Sequence, residues 1–201
     1  MEEITSKMVY RTCIKTVEIV PAFQNLASLY NVSLKEIEKI FIRPRKCTLD
    51  SKLREFQFKL LHRIIYTNYH LYRFQFVQDD LCSYCQNFQE TYQHLFFECS
   101  KIKEMWVNCA QNLKLPILTD LTWKEIHIGI DGGTVEIGQL LNHILILIKF
   151  MIFHYRGKSK PPTAIDIQDK LLESRKEERK LAVERNTLTI HLKKWEALEE
   201  F

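Results

Sequence analysis

Hydrophobic residues recur every three to four positions along most of the chain, which is the spacing of one face of an α-helix. The sequence predicts helices over residues 4–18, 21–30, 33–43, 51–66, 67–76, 92–113, 137–155 and, as one helix or a pair, 163–198. The predicted fold class is therefore mainly α, with at least six helices and at most a short β-ribbon. The same stripes predict a buried core of Leu53, Phe56, Leu60, Ile64, Leu95, Trp106, Leu141, Ile144, Ile148 and Ile152.

Local signals predict three helix boundaries in the first third of the chain. Ser33 and Glu36 have the spacing of a capping box, and Asp50 can cap a helix that begins at residue 51. Pro44 disfavours helical angles at the residue before it. The helix that follows Ser33 is therefore expected to end at Arg43.

Composition agrees with a helical globular protein. Of the 201 residues, 46% are hydrophobic and 27% are charged, and only five glycines and five prolines are present to form turns. A β-sandwich or a propeller needs many tight turns, so these folds are disfavoured. The length allows one domain or two small lobes. We divide the chain into a helical lead-in (1–50), a central module (51–115) and a C-terminal helical region (116–201).

Membrane and secretory signals are weak. The most apolar stretch, residues 137–153, contains Lys149, and a lysine at the centre of a bilayer costs about 3 kcal/mol. We therefore expect the core helix of a soluble protein and no membrane partner. The acidic start Met1-Glu2-Glu3 lacks the features of a secretory leader. These observations predict an intracellular protein of the nucleus or cytoplasm, with its cysteines reduced.

Positive charge is concentrated in one segment. The chain has a net charge of +4, but residues 43–73 hold eight Lys and Arg against two acidic residues, and a shorter basic stretch lies at 149–160. Such cations can contact phosphates while Tyr66, Tyr69 and Tyr72 stack on bases; a solvated helix face is the alternative. Arg63 is the best single candidate. The full candidate set for RNA or DNA binding is Arg43, Arg45, Lys46, Lys52, Arg54, Lys59, Arg63 and Arg73.

One cluster of residues points to metal chemistry. Cys82, Cys85, His94 and Cys99 follow the pattern C-x2-C-x8-H-x4-C. Three thiolates and an imidazole are donors that zinc takes in a closed, tetrahedral structural site. Iron–sulfur clusters usually take four thiolates and calcium takes oxygen ligands, so both fit less well. The alternative is three thiols and a histidine that simply lie in a core, but the spacing favours one structural Zn2+.

Three segments around this cluster resemble the zinc-binding region near the C-terminus of non-LTR (LINE-type) retrotransposon reverse transcriptases. They are LREFQFKLLHRIIYTN (53–68), LCSYC (81–85) and ETYQHLFFEC (90–99), followed by Trp106. The resemblance covers about residues 51–106 and implies that the four Cys and His residues are zinc ligands. It also implies a module that binds element RNA or target DNA during target-primed reverse transcription, together with the polymerase part of the same element.

Signatures of catalysis are missing from the sequence. A polymerase needs a strand-borne aspartate pair and a third carboxylate for two metal ions, and Asp79-Asp80 lacks that context. Nuclease, P-loop, serine-hydrolase and zinc-protease motifs are absent too. We therefore expect no enzyme but an accessory region of an RNA-directed DNA polymerase. The alternative is a helical protein-interaction scaffold, a host-retained retroelement remnant in which zinc is purely structural.

Overall fold

The computed structural model describes residues 22–196. Over this range it forms nine α-helices and no β-strand, and the only β feature there is an isolated antiparallel bridge between Leu81 and Gln89. The predicted mainly α fold is confirmed, while the helix predicted at residues 4–18 lies outside the described residues. The helices are α1 Ala22–Tyr30, α2 Leu34–Cys47, α3 Ser51–Leu61, α4 Asn68–Arg73, α5 Ser100–Asn112, α6 Trp123–Ile128, α7 Val135–Tyr155, α8 Ala164–Glu184 and α9 Leu188–Glu196.

The described residues separate into two compact units, with the boundary between Ile37 and Glu38. In the first unit the predicted capping box is present: the Ser33 backbone N–H donates to Glu36 Oε2 at 2.7 Å, and the Glu36 N–H donates to Ser33 Oγ at 3.4 Å. In the second unit Asp50 caps α3 as predicted, because its Oδ1 accepts from the Lys52 N–H at 2.8 Å. The predicted division at residues 50 and 115 stays a prediction.

The predicted end of α2 at Arg43 is wrong, because the helix continues through Pro44 to Cys47. Proline removes one backbone hydrogen bond and disfavours helical angles before it. Here the ring of Pro44 is buried, and the Arg43 guanidinium donates to the carbonyl of Ile128 and to Asp131. These tertiary contacts hold the backbone on the helical path and override the local preference.

The core of the second unit is built around α7. This helix packs against α3 on one side and against α8 and α9 on another, while α5 packs against α8. Together with the residues up to Lys158, α7 is long and apolar enough to cross a membrane by length and composition, but 67% of its most apolar window is buried within the protein. Nine of the ten predicted core residues are buried.

The exception is Ile64, whose side chain is 48% exposed. The sequence predicts α3 to residue 66, but the helix ends at Leu61. Arg63 adopts a left-handed conformation with φ 55°, and the Ile64 N–H donates back to the Lys59 carbonyl at 2.9 Å. This is the hydrogen bond of a Schellman termination, with arginine in the place usually taken by glycine. The turn directs Ile64 outward and buries Ile65 instead.

Lys149 is buried in the middle of α7 and is only 1% exposed. Its Nζ donates to Gln57 Oε1 at 2.7 Å and to the Ile126 carbonyl at 2.6 Å. Burial, assisted by the nearby charge of Arg43, lowers the pKa of this lysine to about 7. The residue therefore links α7 to α3 and α6, and it is not part of an exposed basic stretch.

The two C-terminal helices are joined to the rest of the unit through a buried carboxylate, Glu178 on α8. Its Oε1 accepts from Thr48 Oγ1 at 3.0 Å and from the Leu49 N–H at 2.9 Å. Its Oε2 accepts from Lys194 Nζ at 2.7 Å and from Trp195 Nε1 at 3.2 Å. One side chain thus connects α8, α9 and the segment between α2 and α3.

Lys194 has two further acceptors in this buried network. Its Nζ donates to the Cys47 carbonyl at 2.6 Å and to His143 Nδ1 at 2.8 Å. Burial, with the charge of Lys194, lowers the pKa of His143 to about 3, so the ring is neutral and Lys194 is the cation of the network. With Nδ1 accepting, the ring hydrogen lies on Nε2, which faces Ser174 Oγ at 3.1 Å.

Candidate metal centre

A tight turn presents the first pair of cysteines. The Cys82 N–H donates to the Phe88 carbonyl at 2.7 Å, and the Gln86 N–H returns to the Cys82 carbonyl at 3.0 Å. Gln86 adopts a left-handed conformation, φ 57°, which closes the turn. The Tyr84 N–H points to Cys82 Sγ at 3.5 Å. This folding leaves the sulfurs of Cys82 and Cys85 on the same side of the turn.

The second pair of donors comes from a π-helical turn, His94–Glu98. The Cys99 N–H donates to the His94 carbonyl at 3.0 Å, the i to i+5 bond of a π-helix, and four residues lie between the two ligands. Cys99 then leaves helical angles, with ψ 128°, and serves as the N-cap residue of α5. The prediction of one continuous helix over 92–113 is therefore wrong at the ligand itself. The break turns Cys99 toward the first pair.

The four donor atoms form a compact set, all within 4.8 Å of one another. Cys82 Sγ lies 3.8 Å from Cys99 Sγ, and Cys85 Sγ lies 3.3 Å from His94 Nε2. In a tetrahedral zinc site the metal lies about 2.3 Å from sulfur and about 2.05 Å from nitrogen. Two sulfur ligands are then about 3.8 Å apart, and a sulfur and a nitrogen ligand are about 3.6 Å apart. The Cys3His set therefore has the chemistry and the dimensions of a site for a single zinc ion.

Burial and hydrogen bonding prepare this set for a cation. Cys82 and Cys99 are fully buried, His94 is nearly so and Cys85 is half-buried. The pKa of Cys99 is lowered, first by the Cys82 thiol that hydrogen-bonds to its sulfur and then by the N–H groups of Ile102 and Lys101 at the start of α5. The same thiol contact and burial raise the pKa of Cys82. A metal ion that binds here replaces the thiol protons.

Residues 25–106 match the protein family described as zinc-binding in reverse transcriptase. We call this segment, which is similar to that family, the zinc-binding module. The match includes all four donors and ends at Trp106, so the resemblance seen in the sequence is confirmed for this region. The matched family is an accessory zinc-binding region and not the catalytic polymerase domain. No curated protein matches the chain.

An outer network orients the cysteine turn of the zinc-binding module. Glu90 is fully buried and accepts from the Ser83 N–H at 2.7 Å and from the Asn68 N–H at 2.9 Å. Arg156, just after α7, forms an ion pair with Glu90 at 2.5 Å and donates to Asn68 Oδ1 at 2.8 Å. The Tyr84 hydroxyl donates to the Ile152 carbonyl. The turn is thus fixed to the end of α7 at two points.

Two aromatic side chains attach the other half of the module. Trp106 Nε1 donates to the Phe96 carbonyl at 3.0 Å, which fixes the π-helical turn to α5. The Tyr92 hydroxyl lies 2.6 Å from the Ile65 carbonyl and holds the turn that follows α3. Burial raises the pKa of Tyr92 to about 12, so its hydroxyl stays protonated as a donor.

We expect Glu90→Gln to weaken zinc binding by about 10-fold or more, because outer partners that orient metal ligands typically contribute 10- to 100-fold to affinity. The change also leaves the guanidinium of Arg156 without its buried counter-charge. Competition with a chromophoric zinc chelator measures the affinity. The matched control is Glu98→Gln, which is adjacent to Cys99 but exposed and bonded to Gln93. If both variants lost half of their zinc at the same chelator concentration, this role of Glu90 would be contradicted.

The predicted phosphate-binding residues divide into two groups. Arg43 is placed differently from the prediction, since its side chain is 10% exposed and is engaged with Ile128 and Asp131. Arg54 is half-buried and donates to the Leu49 carbonyl at 3.1 Å. The other six predicted residues are exposed; they are Arg45, Lys46, Lys52, Lys59, Arg63 and Arg73.

The second basic stretch, residues 149–160, does not form an exposed stripe. Lys149 is buried in the core and Arg156 is bound to Glu90. Sequence reasoning missed the roles of Glu90 and Arg156, and also that of Glu178. Arg156 is 66 residues from Glu90 in the chain, and Lys194 is 16 residues from Glu178. No short-range sequence pattern therefore indicates these pairs. Two features of the sequence could have indicated buried polar contacts: Lys149 lies within an apolar helix, and Glu90 lies between the two pairs of zinc donors.

Proposed function

We propose that this chain is a non-catalytic part of a non-LTR retrotransposon reverse transcriptase, and that it binds RNA or DNA during target-primed reverse transcription. The observation that carries the proposal is the collection of exposed cations on and beside α3, within the zinc-binding module. A zinc ion bound by the four donors would join the cysteine turn to the start of α5. Because its four donors fill a tetrahedral shell, the metal has no open position for a substrate.

The exposed cations have the arrangement of a phosphate-contacting surface. Lys52 and Lys59 lie on α3, Arg63 on the turn that follows it, and Arg73 at the end of α4. The guanidinium of Arg73 also lies over the ring of Tyr69, 5.7 Å from its centroid. Contacts of this kind position a nucleic acid without reading its sequence. We therefore expect weak sequence preference.

The acidic pair Asp79-Asp80 has a local structural use in the zinc-binding module. Asp79 Oδ1 accepts from the Leu81 N–H at 3.0 Å, and Asp80 Oδ2 accepts from Gln89 Nε2 at 2.6 Å. Both carboxylates thus stabilise the loop that leads into the cysteine turn.

Charge reversal tests the proposal. We expect the chain to bind RNA or DNA with an affinity that falls by about 10-fold or more between about 50 and 200 mM salt, because phosphate neutralisation releases counterions. The triple variant Lys52→Glu, Lys59→Glu, Arg63→Glu should nearly abolish this binding and leave zinc content unchanged. Arg54 is omitted because it bonds the backbone of Leu49. Fluorescence anisotropy over a salt series measures both effects.

The matched control reverses three exposed cations on α8, Lys176, Arg179 and Lys180. Lys180 already pairs with Glu177 at 2.8 Å, and acids are interspersed along that helix, so we expect a much smaller loss of affinity. A larger loss from the α8 variant, or no loss from either, would contradict the proposal. Salt-insensitive binding to a protein partner would then favour the helical scaffold.

A further inference from the structure

A groove of about 600 Å³ lies between α3 and the C-terminal half of α7. Its floor is aromatic: the ring of Phe56 lies edge-on to Phe150 at 5.6 Å and is tilted against Phe153 at 5.9 Å. Phe150 and Phe153 lie outside the segment that matches the zinc-binding family. The groove is therefore formed jointly by the zinc-binding module and the helix that supports it.

Two apolar residues at the mouth of this groove are exposed. Ile64 is 48% exposed and Tyr66 is 49% exposed, because the left-handed turn at Arg63 directs this segment outward. The ring of Tyr66 packs edge-on against Phe74 at 5.6 Å, which limits its rotation. Its backbone carbonyl accepts from Arg156 Nη1 at 3.0 Å, so the main chain here is fixed by the Glu90 network. A preorganised aromatic face thus borders an aromatic-floored groove.

The charged residues at the rim of the groove indicate which kind of ligand it binds. Lys52 and Lys59 line the groove from α3, about 10 Å apart along the helix axis, and both are exposed. Glu55 is the single acidic residue of the lining and pairs with Lys59 at 2.6 Å. Two lysines against one carboxylate favour an anionic occupant. An apolar helix of another protein would leave the ammonium group of Lys52 without a counter-charge, since Glu55 pairs with Lys59.

We propose that this groove binds an unpaired nucleobase of single-stranded RNA or DNA, with the base stacked on Tyr66 and the adjoining phosphates held by Lys52 and Lys59. Aromatic faces that border a basic groove are how proteins bind single strands irrespective of sequence. A duplex keeps its base faces inside the stack, so it can use the lysines but not the aromatic surface. The inference rests on the proposed function and names the form of nucleic acid that this surface takes.

Binding of matched single-stranded and duplex oligonucleotides, as RNA and as DNA, tests the inference in the full chain. Because stacking contributes about 1–3 kcal/mol per base, we expect Tyr66→Ala to weaken single-strand binding by about 10-fold and to leave duplex binding unchanged. Tyr66→Trp should retain the affinity. A 2-aminopurine base in the strand should be quenched on binding to the wild type and not to Tyr66→Ala. The control Leu172→Ala truncates a similarly exposed side chain on α8 and should change nothing.

Each alternative outcome is distinguishable. Equal losses for single strands and duplexes, or no loss for Tyr66→Ala, would overturn the groove assignment while salt-dependent binding still supports the proposed function. Failure of the wild type to bind any oligonucleotide would overturn both. A concentration-dependent dimer in sedimentation that is lost in Tyr66→Ala would assign the groove to a second copy of the chain. Unchanged zinc content and thermal unfolding of Tyr66→Ala verify that the variant is folded.

Discussion

Replacing Cys99 by alanine should release the zinc and lower the free energy of unfolding by about 3–5 kcal/mol, the range of the largest single-residue effects. Cys99 is one of the four donors that could hold the metal and is also the N-cap residue of α5, so its loss would separate the π-helical turn from the cysteine turn. Metal binding in such sites is coupled to local folding. Elemental analysis and chemical denaturation measure the two effects.

The matched control is Cys109→Ala, in the same helix. Cys109 is also fully buried, and burial raises the pKa of its thiol to about 12, so it is a neutral apolar group and not a ligand. We expect this variant to keep one zinc and to lose only the stability of a small buried group. A Cys99→Ala protein that retains one zinc and wild-type stability would contradict the ligand assignment.

Glu178→Gln should lower the free energy of unfolding by about 3–5 kcal/mol, because it leaves the buried ammonium of Lys194 without its counter-charge. The α8 and α9 helices depend on this carboxylate for their connection to Thr48 and Leu49. Zinc content should not change, since the network does not include the metal ligands. Chemical denaturation at neutral pH measures the effect.

The difference in the free energy of unfolding between the wild type and Glu178→Gln depends on pH through the pKa of Glu178. Burial alone would raise this pKa, but the charge of Lys194 and the hydrogen bonds outweigh it and hold the pKa below 4.5. The stabilisation is therefore full above pH 4.5 and is lost as the pH falls through the lowered pKa. The control Glu177→Gln removes an exposed pair with Lys180 and should cost less than about 1 kcal/mol. Equal stabilities of the two variants at neutral pH would disprove the role of Glu178.

The parts of the molecule that depend on neighbouring residues could be predicted from the sequence. The cysteine and histidine spacing identifies the zinc donors because all four lie within 18 residues on a turn and the start of a helix. The helical stripes identify the core because their period is a property of each segment alone. Caps at Ser33 and Asp50 are local for the same reason.

The parts that depend on distant partners could not be predicted. Glu178 lies among exposed charged residues of α8, and only the fold brings Lys194 and Thr48 to it. Pro44 remains helical because Arg43 reaches residues more than 80 positions away. The left-handed position of the turn after α3 is occupied by Arg63 and not by glycine, so the sequence does not predict the turn. The exposure of Ile64, which follows from that turn, could therefore not be predicted.

X-ray absorption at the zinc edge, on the full chain purified without chelator, tests the central claim most directly. The Cys82, Cys85, His94 and Cys99 site predicts about one zinc per chain, with three sulfur neighbours at about 2.3 Å and one nitrogen neighbour at about 2.0–2.1 Å. A protein without zinc, or a zinc shell made of oxygen and nitrogen alone, would contradict it.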